Sequence, residues 1–291
     1  MNSQLTVIIP SFNRALVIGR ALSSVFNQKN FDQWISEVIV VDDASSDETS
    51  SILDNYLKKY SVLKVIKNDS QRGVSYSRNL AIKSARSQWI AFLDSDDEWK
   101  SNKIDLQMKH LIENPNSVIC HTNEIWIRND KRVNERLIHK KCGGDIFHRC
   151  LELCCVSPSS VIVDRSILLN FGLFRVDFPV CEDYDLWLKI SCHHEFAYLH
   201  ERLCIKHGGH PDQLSQKYHS MDEWRIRSIE NIVRDNIDTL SSEKKMMAFQ
   251  SYQEKYKVLL RGYLRHGHLD KAKVAQNNWL SFQSLLLPEP A

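Results

Sequence analysis

At residues 88–99 the chain reads QWIAFLDSDDEW, five apolar residues followed by four acids within five positions, Asp94, Asp96, Asp97 and Glu98. An unbroken apolar run of this length suits a strand covered on both faces, as in a parallel sheet packed between helices. The acids then leave the carboxyl end of that strand, the edge where open α/β sheets bind ligands. Carboxylates crowded there repel one another unless something positive lies between them, and a hard divalent cation backed by a phosphate meets that need. Taken alone, the stretch also fits a solvated acidic turn that starts the next helix.

Working outward, the same plan recurs. LTVIIP (5–10) is a β-branched run ended by Pro10 and followed by Ser11, Phe12, Asn13 and Arg14; Leu16, Ile18, Leu22, Val25 and Phe26 then share one helix face. VIVV (38–41) ends in Asp42 and Asp43, and Asp47 with Thr49 and Ser50 is suited to starting a helix. A third strand spans 62–66, and Gly73 opens a helix through Ser77, Asn79, Ile82 and Ala85. Four β–α alternations in the first hundred residues predict an α/β fold, a mostly parallel, doubly wound sheet with helices on both faces.

Beyond Trp99 the pattern predicts a helix through Ile104, Met108, Leu111 and Ile112, a strand at 117–121 and an irregular hairpin at 126–138. A short helix from Gly143 and Gly144 to about Cys155, a strand at 161–163 and a helix containing CEDYDLWLKI (181–190) follow. Short strands at 196–199 and 203–206 precede the breaker-rich loop HGGHPDQL (207–214). From residue 220 helical spacing dominates, with an aromatic stripe through Phe249, Tyr252, Tyr256 and Tyr263. The expected division is a catalytic unit at 1–215 and a helical C-terminal extension at 216–291. The stripe reads as a face packed on the rest of the chain or on a partner subunit, so a homo-oligomer through these helices is one expectation.

The chain has 291 residues, 43% hydrophobic and 25% charged, with a formal net charge of +2. That size supports one large core with an extension, and the near-neutral balance argues against nucleic acid as a partner. The charge is uneven, since 241–291 carries eight Lys or Arg against four Asp or Glu. The start, MNSQLTVIIP, has no basic signal-peptide region, and no run approaches the roughly 18 apolar residues of a membrane span. The expected location is cytoplasmic, with the basic tail suited to peripheral association at the inner face of a membrane. Eight cysteines without C-x-x-C spacing read as reduced thiols, and Cys142, His148 and Cys150 do not match a zinc pattern.

Polar clusters therefore fall at strand ends or in loops throughout. VIIPSFNRA (7–15), VIVVDDASSDET (38–49), RGVSYSRN (72–79), FLDSDDEW (92–99) and EDYDLWL (182–188) occur in an order that resembles glycosyltransferase family 2, over about residues 4–215. A DSD triplet alone is common by chance; five segments in family order are specific. The resemblance implies the GT-A fold and inverting transfer of a sugar from a nucleotide sugar, a UDP-sugar by expectation, to a carbohydrate or lipid-linked acceptor hydroxyl. It implies a divalent metal, Mn or Mg, and a setting in surface polysaccharide or glycolipid biosynthesis.

The same resemblance implies residue roles. Pro10, Phe12 and Asn13 correspond to the first nucleotide-binding loop, with Phe12 stacking on the base. Asp43 corresponds to the carboxylate that accepts from the base ring N–H, and Arg72 to a neighbour of the phosphate or base. Asp94 and Asp96 match the D-x-D motif, Asp96 on the metal and Asp94 toward the ribose or the ion. His210, with His207 as the alternative, corresponds to a histidine completing the metal site. Of Glu182 and Asp183, the second is expected to be the base, with Glu182 as its substitute. Trp99 is either a wall of the sugar pocket or a core residue. Two other readings stay open: a non-catalytic nucleotide-sugar binding module, and a nucleotidyltransferase, although PSFNRA lacks the glycine-rich phosphate loop that the latter wants.

Overall fold

Four apolar strands, β1 (Leu5–Ser11), β2 (Ile35–Asp42), β3 (Leu63–Lys67) and β4 (Trp89–Phe92), pair in parallel in the order β3-β2-β1-β4. The structure is a computed structural model and describes residues 4–134, 136–209, 218 and 220–286. The alternation of side chains along a strand explains why these runs carry no polar interruption. Ile8, Ile39, Val41, Ile90 and Phe92 join one buried cluster, while Val7, Ile9, Val38, Val40 and Ala91 join another on the opposite face. Pro10 lies inside β1 opposite Val41; β4 has stopped pairing at Ile8, so the missing N–H breaks no bond of the β1–β4 ladder.

The helices α1 (Ile18–Phe26), α2 (Phe31–Trp34), α3 (Thr49–Lys59) and α4 (Val74–Ser84) carry the crossovers, and α5 (Lys103–Glu113) follows the acidic turn. Ile18, Ala21, Leu22 and Val25 of α1 pack on one sheet face with Leu53, Ile104 and Met108; Ala81 and Ile82 of α4 cover the other. Each large aliphatic side chain buried in this way contributes about 1.5–3 kcal/mol. Asp47 starts α3 as the sequence suggests, its carboxylate accepting from Thr49 N at 3.0 Å.

The second half of the sheet is mixed. A strand β8 (Ile162–Asp164) runs antiparallel to β4, β6 (Ile119–Arg128) antiparallel to β8, β9 (Ala197–Gly208) parallel to β6, and the two-residue β5 (Glu98–Trp99) antiparallel to β9. A short β7 (Lys131–Val133) folds back on β6. The expected break between 121 and 126 is therefore one continuous strand, and so are the two short strands expected at 196–199 and 203–206. Their register explains the misreading: Thr122 faces Leu199 and Asn123 faces Arg202, so His200 and Glu201 bulge out where the apolar pattern lapses. The helix expected at 143–155 is confined to α6 (Phe147–Glu152). Gly143 precedes it because an added Cβ would lie 2.8 Å from Phe196 O and 2.9 Å from Tyr198 Cβ.

Helices α7 (Arg165–Asn170) and α8 (Glu182–Ser191) are followed by α9 (Met221–Asp235), α10 (Ser242–Arg265) and α11 (Leu269–Leu286). The aromatic stripe is spent inside the chain. Tyr252 stacks on Phe282 at 4.1 Å and Tyr256 on Trp279 at 5.2 Å, while Ile229, Ile232, Tyr252 and Phe282 share a cluster with Phe92 and Trp187. All eight cysteines are free thiols. Among the described residues no helix is long and apolar enough to cross a membrane.

Lys103 is a cost within this core. It is fully buried, its ammonium has no hydrogen-bond partner among the described residues, and it rests 4.2 Å from the Trp99 ring centroid. Burial pulls its pKa from 10.5 to about 7. Between those values the unfolded chain holds a proton that the folded chain has lost, so this group makes stability rise with pH across that window. Denaturant titrations of the wild type and Lys103→Met from pH 7 to 10 check this: the wild type should gain about 1.4 kcal/mol per pH unit relative to the variant. A pH-independent difference contradicts it.

Candidate functional site

The carboxyl ends of β1, β2 and β4 open on one rim, and short side chains stitch their loops together. After β1, Asn13 adopts a φ of 51°; its N–H donates to Ser45 Oγ at 2.9 Å and its side-chain oxygen accepts from Ser46 N at 2.8 Å. Phe12 beside it is half-buried at the rim, and Pro10 is buried in the strand below. Asp42 accepts from Ser45 N and Ser50 Oγ, and so serves the following loop and helix.

Asp43 is 4% exposed and does more. Its Oδ1 accepts from Asn68 at 2.6 Å and from Arg72 N at 2.8 Å, and its Oδ2 from Gly73 N at 2.8 Å. Gly73 sits at a φ of 91°, where only glycine is unstrained. Asp43 thereby holds the loop after β3 against the end of β2. The Arg72 guanidinium, exposed at the rim, lies 4.7 Å from the Tyr76 ring centroid.

The four acids after β4 have separate surroundings. Asp94 N donates to Ser159 Oγ at 3.0 Å, and the same hydroxyl donates to Asp97 Oδ2 at 2.7 Å. Asp97 is 2% exposed and also accepts from His207 N. Glu98 meets His207 Nε2 at 3.2 Å. Trp99 is a core residue, its indole N–H donating to Ser159 O at 2.7 Å. Asp94 and Asp96 remain half-buried at the surface of the turn, and the Asp96 carbonyl accepts from Arg20 at 2.6 Å. His207 is thus engaged with the acidic turn, and His210 lies outside the described residues.

A residue the sequence reading passed over joins the two halves of the site. Arg78, on the buried face of α4, is 3% exposed; one guanidinium nitrogen lies 2.7 Å from Asp94 Oδ1 and another 2.8 Å from Glu182 Oε1. Its plane rests 5.0 Å from the Phe174 ring centroid. Burial opposes its charge, but Asp94 and Glu182 more than compensate and raise its pKa further. The signal was present in RGVSYSRN, since Arg78 falls in register with the buried Ser75, Ala81 and Ile82.

Cys181 takes a φ of 62° just before α8, whose first residue, Glu182, reaches Arg78. Glu182 is 6% exposed, and burial with the neighbouring Asp183 pushes it up to about 7. Asp183 is half-buried; its Oδ2 accepts from Cys154 Sγ at 3.1 Å and its Oδ1 from Tyr184 N at 2.7 Å. Asp185 faces away, fully buried between Lys189 at 2.6 Å and Ser228 Oγ at 2.8 Å, as a helix requires of residues at these spacings.

No group of three or more His, Cys, Asp or Glu converges as a metal site among the described residues, and Cys142, His148 and Cys150 form none. Asp94 and Asp96 still suit a hard cation, because Mg²⁺ commonly takes only one or two carboxylates and completes its shell with phosphate oxygens and water.

The family model described as glycosyl transferase family 2 matches residues 6–170, more than half of the chain. The chain belongs to this family. Its 34% identity over 185 residues to an Escherichia coli protein named UDP-Glc:alpha-D-GlcNAc-diphosphoundecaprenol beta-1,3-glucosyltransferase WfgD covers 64% of this chain and 68% of that one. It also matches longer proteins: 31% identity over 192 residues to an uncharacterized glycosyltransferase of Rickettsia bellii spans 65% of this chain and 26% of the relative. Among solved structures, Staphylococcus aureus TarS 1-349 in complex with UDP-GlcNAc superposes with a TM-score of 0.77 at 20% identity, covering 97% of this chain and 81% of TarS. The Pyrobaculum calidifontis mannosyltransferase PcManGT with GDP-Man and Mn²⁺ gives 0.59 at 16% identity, covering 97% and 84%. These structural likenesses establish the GT-A fold, including the helical C-terminal region, for this family 2 glycosyltransferase.

Arg78→Met should leave Glu182 without its partner in the interior and free Asp94 at the surface of the turn. Removing one partner of a buried ion pair costs about 3–5 kcal/mol, so urea unfolding at pH 7.5 should show a loss of that order. A variant as stable as the wild type contradicts the bridge.

Proposed function

We propose that this glycosyltransferase moves a sugar from a UDP-sugar to a hydroxyl of a lipid-linked saccharide, with inversion and with a divalent ion at Asp94 and Asp96. The observation that supports the reading is the Asp94–Arg78–Glu182 bridge, which ties the acid proposed for the donor side to the pair proposed for the acceptor side. Phe12 and Asn13 would line the base, Asp43 would accept from its ring N–H, and Arg72 would lie beside the phosphates. His210 or His207 stays a candidate for completing the ion's shell. Mn²⁺ or Mg²⁺ bound there would neutralise charge on the departing diphosphate.

Asp183 is the preferred base. It is half-buried and so reachable by an acceptor, whereas Glu182 is closed off by Arg78. Asp183 would take the acceptor hydroxyl proton as the oxygen attacks the anomeric carbon and the bond to the diphosphate oxygen breaks from the opposite face. We assign this chemistry to residues 1–215 and treat 216–291 as a helical extension that buttresses α8. The UDP-sugar and lipid-linked acceptor named for WfgD make those classes the first to try, in polysaccharide or glycolipid biosynthesis.

A panel of nucleotide sugars, assayed with Mn²⁺, with Mg²⁺ and with chelator against a diphospholipid-linked acceptor, tests the reading. Asp183→Asn should lower transfer by about 10²–10⁴-fold while leaving UDP-sugar binding within a few-fold of the wild type. Full transfer by the variant, or wild-type turnover of no donor with either metal, contradicts it.

A further inference from the structure

We infer that the β6–β7 hairpin and the 3-10 turn Leu137–His139 after it form a ridge that docks on an anionic phospholipid bilayer. The inference deepens the proposed function by naming where the enzyme meets the membrane that holds its acceptor. It rests on that reading for its purpose alone, because the contact is measured without catalysis.

The sequence of 128–140 carries five cations, Arg128, Lys131, Arg132, Arg136 and Lys140, against two acids, Asp130 and Glu135. All five cations are exposed, and none has an ion-pair partner among the described residues. Nearby carboxylates are committed elsewhere, Glu124 to Lys141 and Glu152 to Arg149. Amid the cations stand Leu137, 90% exposed, and Ile138, 55% exposed.

These apolar side chains are not presented by a loose loop. Arg149 donates to Ile138 O at 2.6 Å, and the His139 ring lies 5.0 Å from Trp126, whose indole N–H donates to Glu124 at 2.7 Å. The turn is tied to the body of the protein while its leucine points outward. Two aliphatic side chains fixed in water gain free energy when a low-polarity phase covers them. A polyanion would answer the cations and leave the leucine wet; an apolar protein partner would leave five cations uncompensated. A bilayer with anionic headgroups satisfies both.

The position agrees. β6 is antiparallel to β8, which is antiparallel to β4, so β6 leaves the sheet on the same rim as Asp94. A lipid-linked acceptor would then meet the site from the side the ridge faces.

Vesicle sedimentation of the full chain tests this, using phosphatidylglycerol–phosphatidylcholine mixtures against pure phosphatidylcholine. The wild type should prefer the anionic vesicles and release them in high salt. Each basic residue near such a surface is worth about fivefold in binding, so Lys131→Gln with Arg132→Gln should weaken it by roughly 25-fold. Leu137→Ser with Ile138→Ser should weaken it by about tenfold. Both double variants should keep the wild-type melting temperature and lipid-free UDP-sugar hydrolysis, which separates failure of docking from failure of the transferase reading. Lys271→Gln with Lys273→Gln in α11 should bind as the wild type does. No preference for anionic vesicles, ridge variants that bind like the wild type, or loss confined to the α11 variant would each overturn the inference. So would retention on heparin without retention on vesicles.

Discussion

One buried guanidinium holds the site together. Arg78 belongs to the helix after β3, Asp94 to the turn after β4, and Glu182, 104 positions after Arg78, to the first turn of α8. Burial and the neighbouring Asp183 push Glu182 toward its protonated form, and Arg78, which also holds Asp94, opposes that push. An arginine suits this place because its planar fork serves two acids at once and keeps its charge. The bond pattern also fixes distance: Asp94 and Glu182 cannot drift apart while both grip the same group. For the proposed displacement, such prior placement would leave little reorganisation for the chemical step.

The rest of the rim depends on small polar side chains used the same way. Asp43 pins the Arg72–Gly73 loop and Asn13 pins the loop after β2, so the proposed nucleotide cradle is assembled from three separate crossings. Ser159 performs the same service in the acidic turn, holding Asp94 through its backbone and Asp97 through its carboxylate. In this way four neighbouring acids diverge. Asp97 and Glu98 turn inward to Ser159 and His207, while Asp94 and Asp96 are kept at the surface.

Much of this was legible in the residues. Strands β1 to β4 are short, apolar and bounded by polar loops, so their parallel pairing follows from alternation with helices. The divergence of Asp185 from Asp183 follows from helical phase. What escaped the pattern was long-range. The continuity of β6 and β9 is hidden because the bulge at His200 and Glu201 interrupts the apolar rhythm, and the two-residue β5 has no periodicity to detect. Helical phase puts Arg78 on the face of Ser75 and Ala81, but nothing local announces that Asp94 and Glu182 will close on it. Lys103 was hidden likewise, as a lysine that tertiary packing seals under Trp99.

The central claim is that Asp94, tied through Arg78 to Glu182, and Asp96 are where the diphosphate and its cation would sit. Anomalous diffraction from crystals soaked with UDP and Mn²⁺ tests it most directly. The account predicts one strong manganese peak within bonding distance of the Asp96 carboxylate, between it and the diphosphate, with the base near Phe12 and Asp43. A peak coordinated elsewhere, or UDP bound away from that rim, would contradict it.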